Sequence, residues 1–279
     1  MYKSVTKRFF HPIKSAIIVV GLLGASSHVI AETTLESLAE GKHRSEAYKA
    51  RNEFRNPVET LKFFGIKPDM TVVEISPGGG WYTEIIAPYL REKGHYIAAG
   101  FDPESKVNYY KRNAKKYAEK LAKIPELYDK VELTIMEAPE KLDFAKPNSA
   151  DMVVSFRNTH NWAGRGHADE VYAAIFKVLK PGGVFGLVQH RAGKDHPKDT
   201  SGKLGYLKTE EVIEMAKKAG FRVAEQSEIN ANPKDTKDHP HGVWTLPPNY
   251  RLKDKDRAKY EAIGESDRMT IKLVKPALK

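Results

Sequence analysis

Thr71-Val-Val-Glu-Ile-Ser-Pro-Gly-Gly-Gly-Trp81 is a short apolar run that stops abruptly at a proline and three glycines. Five residues rich in β-branched types, bounded by turn formers, predict a buried strand over Thr71–Ile75. The apolar residues after the glycines predict a helix from Trp81 to Leu90, with Pro88 near its end. Glycines at a strand-to-helix turn let backbone N–H groups and a helix N-terminus come close to a ligand. Any tight turn of this kind also takes glycines for steric reasons, so the run by itself names no ligand.

The same alternation continues outward. Further strands are expected at 95–99, 131–135, 150–155, 183–189, 221–224 and 269–274, with helices at 107–122, 168–179 and 210–219 between them. Thr209 is expected to cap the last of these and Gly220 to end it. Strands separated by helices imply parallel pairing with right-handed crossovers. Before this block, residues 32–66 read as a helical lead-in, with Asn56 as cap and Pro57 as first residue of its last helix. Arg44, Arg51 and Arg55 give the lead-in a basic face, expected to be solvated. Residues 225–268 break the pattern: they are polar, contain Pro233, Pro240, Pro247 and Pro248, and show one short helix near 254–262. A stretch this long inside one domain is usually functional or disordered. Trp244 and Tyr250 favour an ordered cap with buried aromatics.

Glu74 through Gly80, Asp102 after the second strand, Glu137 after the third, Asp151 opening the fourth and Leu179-Lys-Pro-Gly-Gly183 before the fifth form a fixed order. This order resembles the class I S-adenosylmethionine-dependent methyltransferases. The resemblance covers roughly residues 60–225 and the last strand. It is closest to a group of exported bacterial proteins called predicted methyltransferases, which share the Pro-Gly-Gly-Gly-Trp-Tyr turn and the Asn-x-His-Asn-Trp segment. It implies a Rossmann-like three-layer α/β sandwich with a seven-stranded, mostly parallel sheet whose last strand is antiparallel. It also implies S-adenosylmethionine as cofactor, with Glu74 and Ser76 in its turn and Gly78 and Gly80 facing its methionine part. Asp102 would hold the ribose hydroxyls and Glu137 would lie near the adenine amino group. Ser76 stands where the family pattern has its first glycine, and Pro77 stiffens the turn and removes a backbone donor.

Methyl transfer asks a protein chiefly to position an acceptor lone pair, with a base where the acceptor is protonated. The fourth strand leads into Arg157-Asn-Thr-His-Asn-Trp162, and the fifth ends in Gln189-His190-Arg191. His160 or His190 is a candidate base, because imidazole titrates near neutrality. Asn158 and Asn161 are suited to orient an acceptor, Trp162 to stack on it, and Arg191 to hold an anionic group. His160 and Trp162 are equally suited to packing under the cap. Asp267 and Arg268 either close the pocket from the far side or form a local ion pair.

Composition narrows the partners. The 279 residues carry 46 Lys+Arg against 36 Asp+Glu, a net charge of +10. Four of the basic residues, Lys3, Lys7, Arg8 and Lys14, fall in residues 1–31, which hold no acid; the rest balance to +6. Residues 1–31 read as an export signal: a basic start, the apolar run Ala16–Ala25, and a small-residue exit at Ala31. An uncleaved anchor is the alternative, although about ten apolar residues fall short of the ~20 a bilayer span needs. No later stretch approaches that length, so domain 32–279 is expected to have no stable membrane insertion and to act in the periplasm or outside the cell. The absence of cysteine excludes disulfides, thiolate metal sites and a thiol nucleophile. Lys111, Arg112, Lys115, Lys116, Lys120 and Lys123 form one dense basic helix, interrupted by Glu119 and expected to be solvated rather than to bind nucleic acid. His160, His190, His196, His239 and His241 match no metal-site spacing, so no metal is expected. The expected partner is a small molecule, and the competing reading is a non-catalytic exported binding protein that kept the fold.

Overall fold

The computed structural model describes Met1, residues 33–195, residue 199 and residues 201–277. Apart from Met1, the expected export signal lies outside the described residues. The unit Thr33–Lys279 opens with four short helices, α1 (Leu35–Ala39), α2 (Glu46–Lys49), α3 (Asn52–Arg55) and α4 (Pro57–Phe64). There follow β1 (Thr71–Ile75), α5 (Thr83–Leu90), β2 (His95–Gly100), α6 (Asn108–Ala122), α7 (Pro125–Tyr128), β3 (Glu132–Ile135) and β4 (Ala150–Phe156). The second half holds α8 (Thr159–Gly164), α9 (Ala168–Val178), β5 (Leu179–His190), α10 (Thr209–Lys218), β6 (Arg222–Ser227), α11 (Arg257–Ile263) and β7 (Arg268–Val274).

The seven strands form one sheet in the order β3-β2-β1-β4-β5-β7-β6. The first five pair in parallel, and β7 lies antiparallel between β5 and β6. This is the expected Rossmann-like, mostly parallel sheet with an antiparallel last strand. The two-residue period of a strand sorts its side chains into two layers. Val73, Ile75, Val153, Leu187 and Ile271 face one side, against Val171 and Ile175 of α9 and Val212 and Ala216 of α10. Val72, Ala98, Met152 and Val154 face the other, against Leu35, Leu61, Phe64, Ile85 and Leu121. At Gly186 a Cβ would come within 2.5 Å of the Phe64 ring. The missing side chain is what lets α4 sit directly on β5.

Three local expectations need correction. Asn56 takes the cap position of α4 ahead of Pro57, as expected, but makes no side-chain capping bond: it adopts φ 39°, and its amide donates to the Ile229 carbonyl at 2.7 Å, tying the lead-in to the segment after β6. Asparagine tolerates the left-handed region, so the chain turns there without a capping bond. Thr209 is the first residue of α10 rather than its cap; Glu211 accepts from the Lys208 N–H at 3.3 Å. The basic face of the lead-in is not solvated either. Arg44 and Arg55 are 2% and 3% exposed, each with its guanidinium 4.7 Å from the centre of the Trp81 ring. Arg44 pairs with Glu84 and Arg55 with Glu265.

Most of the segment between β6 and β7 is irregular, with one 3-10 turn at Gly242–Thr245 and helix α11. Trp244 and Tyr250 are half-buried. Its anchor is Asp235, 2% exposed. The Asp235 carboxylate accepts from the Tyr206 hydroxyl at 3.0 Å, His239 Nε2 at 2.9 Å, and the backbone N–H groups of Lys237 and Asp267 at 3.0 and 2.8 Å.

Candidate active site

Parallel pairing in register, Ile75 beside Ser155, brings the carboxyl ends of β1 and β4 together. Ligands bind outside these ends in open α/β sheets. Three cavities border the turn after β1; one of about 250 Å³ lies toward α6, and the other two share the polar residues after β4. The larger, of about 400 Å³, is lined by Glu74, Arg51, Arg55, Arg157, His190 and Arg268 among others. The smaller, of about 240 Å³, is lined by Phe101, Tyr110, Met136, Glu137, Trp162 and Arg165 among others. Ser76, Gly78, Tyr109, Asn158, Asn161 and Trp244 line both.

The shared wall is the glycine turn. Ser76 takes φ 50°, the conformation a glycine would adopt freely, and its N–H donates to Ala99 at 2.8 Å. Gly78, at φ 60°, has no heavy atom within 4 Å of where a Cβ would stand. Gly80 lines neither cavity; a Cβ there would meet Tyr117 of α6 at 3.0 Å. Of the two glycines expected to face a ligand, Gly78 lines both cavities and Gly80 packs against a helix. Glu74 borders the larger cavity, but its carboxyl is held from behind by the Tyr96 hydroxyl and by Thr83 Oγ1 at 3.0 Å. Burial raises its pKa to about 7.

Glu137 lines the smaller cavity. One oxygen accepts from Ser105 at 3.0 Å, whereas Oε2 is buried without a partner among the described residues. A buried carboxylate oxygen left unpaired is costly unless an N–H or O–H meets it. Asp102 lines neither cavity; its carboxylate accepts from Lys141 and from the Glu104 N–H at 2.8 Å. Those bonds hold its pKa below the usual carboxylate range.

Among the polar residues after β4, Asn158 and Asn161 reach both cavities. Asn158 also donates to the Ile75 carbonyl at 3.2 Å, joining the two strand ends. Trp162 is 7% exposed and packs edge-on against Tyr172, so only part of it faces the smaller cavity. His190 lines the larger cavity and its Nδ1 lies 2.6 Å from the Ser266 hydroxyl. His160 sits behind it, ring centres 5.6 Å apart, and lines neither cavity. Its Nδ1 faces the Gln189 amide and its Nε2 is buried without a partner among the described residues.

Burial pushes the His160 pKa down to about 4 and that of His190 well below its ordinary value, so both rings are neutral at pH 7. In the unfolded chain a histidine protonates near pH 6.5. Between pH 6.5 and 4 the unfolded chain therefore binds a proton that native His160 refuses, and the stability present above pH 6.5 is lost as pH falls. Glu74 changes in the opposite sense, so the test is differential. Wild type is expected to lose about 2 kcal/mol more than H160Q between pH 7 and pH 5 in urea titrations. Parallel pH profiles for the two proteins would contradict the burial of a neutral ring.

Arg191 leaves the site altogether. It pairs with Glu228 at 2.7 Å and Asp267 at 2.9 Å on the outer side of the segment after β6. Asp267 is likewise consumed, by Arg191, Lys237 and the Asn232 N–H; this is the local anchoring ion pair rather than a pocket wall. Arg268 does border the larger cavity, where it, Arg51 and Arg55 surround the Glu265 carboxylate. Sequence reasoning missed this cluster. Its signal was the pair Arg51 and Arg55, four residues apart at the start and end of α3. Among the described residues no three His, Asp or Glu side chains form a group able to hold a metal ion, and no helix is long and apolar enough to cross a membrane. His196 lies outside the described residues.

The strand order and the ligand-facing strand ends define the Rossmann-like methyltransferase fold. Residues 73–187 match the family model described as a methyltransferase domain. The chain is similar to a SAM-dependent methyltransferase from Aquifex aeolicus, at 17% identity and TM-score 0.54 over 81% of this chain and 93% of that one. It is similar also to phosphoethanolamine N-methyltransferase 2 of Haemonchus contortus in complex with S-adenosyl-L-methionine (19%, TM-score 0.53, 80% of this chain and 53% of that one). The [4+2]-cyclase SpnF shares the architecture as well, at 15% identity and TM-score 0.58 over 86% of each chain. No curated protein matches the sequence. Identities this low establish the fold, and the cyclase shows that the fold does not dictate one reaction.

Proposed function

We propose that this chain is an S-adenosylmethionine-dependent methyltransferase acting on a small acceptor, with residues 1–31 as its export signal. The observation that carries the reading is the pair of cavities joined at Gly78, one offering the unpaired Glu137 oxygen and the other a polar chamber with His190. Glu137 would receive a donor of the cofactor's adenosine, Asp102 at the end of β2 would serve the ribose in exchange with Lys141, and the open Gly78 backbone would admit the methionine part. When bound, S-adenosylmethionine supplies a methyl group activated on a sulfonium. The protein's own share is positioning. Asn158 and Asn161 reach both chambers and are suited to orient an acceptor at their junction. His190, neutral and fixed by Ser266, is suited to take a proton from an acceptor atom that turns strongly acidic as it gains a methyl group.

Isothermal titration with S-adenosylmethionine and S-adenosylhomocysteine tests this directly. Micromolar binding is expected, with a raised melting temperature. Absence of both heat and thermal shift at millimolar ligand would sink the proposal.

A further inference from the structure

The larger cavity holds more positive charge than its acids balance. Four guanidinium groups, from Arg51, Arg55, Arg157 and Arg268, line it together with the carboxyls of Glu74 and Glu265. Glu265 is already engaged by three of the arginines: Arg51 at 2.6 Å, Arg55 at 3.0 Å, and Arg268. Glu74 is taken by Tyr96 and Thr83. The fourth guanidinium feels the charge of Glu265 across the cavity without a hydrogen bond to it. Among the described residues Arg157 makes no side-chain hydrogen bond, although it is half-buried and borders the cavity.

The backbone there is unusual too. Arg157 takes φ 65°, a region that arginine seldom adopts, and its N–H is fixed to the Val188 carbonyl at 2.7 Å. Strain of this kind persists where the surroundings enforce it and clusters at functional sites. Burial first, and then the nearby Arg268, lower the Arg157 pKa to about 10, against the opposing pull of Glu265. A guanidinium presents five donors in a planar fork that matches a carboxylate or phosphate in two parallel bonds. Arg157 lines the larger cavity and not the smaller one, beside Asn158, Asn161 and His190.

We infer that Arg157 is the anion-binding residue of the acceptor chamber, and that the methyl acceptor carries a carboxylate or phosphate group. The assignment of that anion to an acceptor rests on the methyltransferase reading above. The role first given to Arg191 falls instead to a residue at the end of the neighbouring strand. The rival source of the anion is the cofactor's own methionine carboxylate, and the test separates the two.

Inorganic phosphate and acetate are titrated calorimetrically into wild type, R157N and R157K, each with and without S-adenosylhomocysteine. Asparagine is chosen because it tolerates the positive φ, and lysine because it keeps the charge and loses the fork. Melting curves confirm that each variant is folded. In wild type, phosphate is expected to bind in the millimolar range with S-adenosylhomocysteine present. R157N should weaken it by about tenfold or more and R157K by less, while S-adenosylhomocysteine affinity stays within about twofold. Phosphate binding that is absent in wild type, or unchanged in R157N, would overturn the inference. So would a tenfold loss of S-adenosylhomocysteine affinity in R157N, which would give Arg157 to the cofactor. If wild type binds no S-adenosylhomocysteine yet loses phosphate binding through R157N, the anion site stands and only the methyltransferase reading fails.

Discussion

Replacing Asp235 with alanine is expected to destabilise the protein by roughly 3 kcal/mol or more, because each buried donor left without an acceptor costs about 1–3 kcal/mol. The carboxylate serves both sides of the irregular segment: Tyr206 from the core, His239 and the Lys237 N–H from the loop, and the Asp267 N–H from the entry to β7. Water can replace some of these bonds, but the carboxylate is 2% exposed and stands among buried neighbours. D235N is the informative partner. Its carbonyl keeps some of the bonds while its NH2 opposes a donor, so an intermediate loss is expected. Chemical denaturation of the three proteins reads the effect. A change under about 1 kcal/mol for D235A would show that the segment is held elsewhere. The same variant should also loosen Ser266, one residue before Asp267, and with it the orientation of His190.

Gly78→Val is expected to abolish S-adenosylhomocysteine binding, a loss beyond about 100-fold. Two effects act together. A β-branched residue at φ 60° costs on the order of 1–2 kcal/mol in the backbone. The added carbons would also fill the opening that both cavities share. G78A separates the two, since it brings the backbone strain with a single methyl group; its affinity should fall far less. Calorimetry on melting-matched samples gives the answer. Binding by G78V within threefold of wild type would remove the turn from the ligand site.

The sheet was readable because its signals are local. Apolar, β-branched runs bounded by turns such as Ser76-Pro77-Gly78 after one strand or Lys180-Pro181-Gly182 ahead of another mark strands, and seven of them leave few arrangements. Thr209 was misread by one position, and Asn56 capped without its side chain, because a cap depends on where the backbone bonds go and not on residue type alone. The site was legible by segment and not by side chain. Residues 157–162 and 189–191 do lie at the ligand end of the sheet. Yet His160 turned behind His190 toward Gln189, Arg191 turned outward to Glu228 and Asp267, and Arg157 turned into the cavity, choices made by tertiary surroundings and not by local sequence. The Arg44–Arg51–Arg55 face was taken for a wet surface because charge usually is one; Trp81 and Glu265, 26 and 210 residues beyond Arg55, make it an interior.

The place of β7 also dictates an order of events. β6 pairs with β7 and not with β5, so it has no docking edge until the final strand arrives. While the chain is still emerging, residues 184–190 of β5, those that β7 will cover, present an apolar, hydrogen-bond-hungry margin to whatever strand is nearest. Only β7, Arg268–Val274, closes that margin. Nascent or truncated copies lacking β7 are the forms most exposed to mispairing.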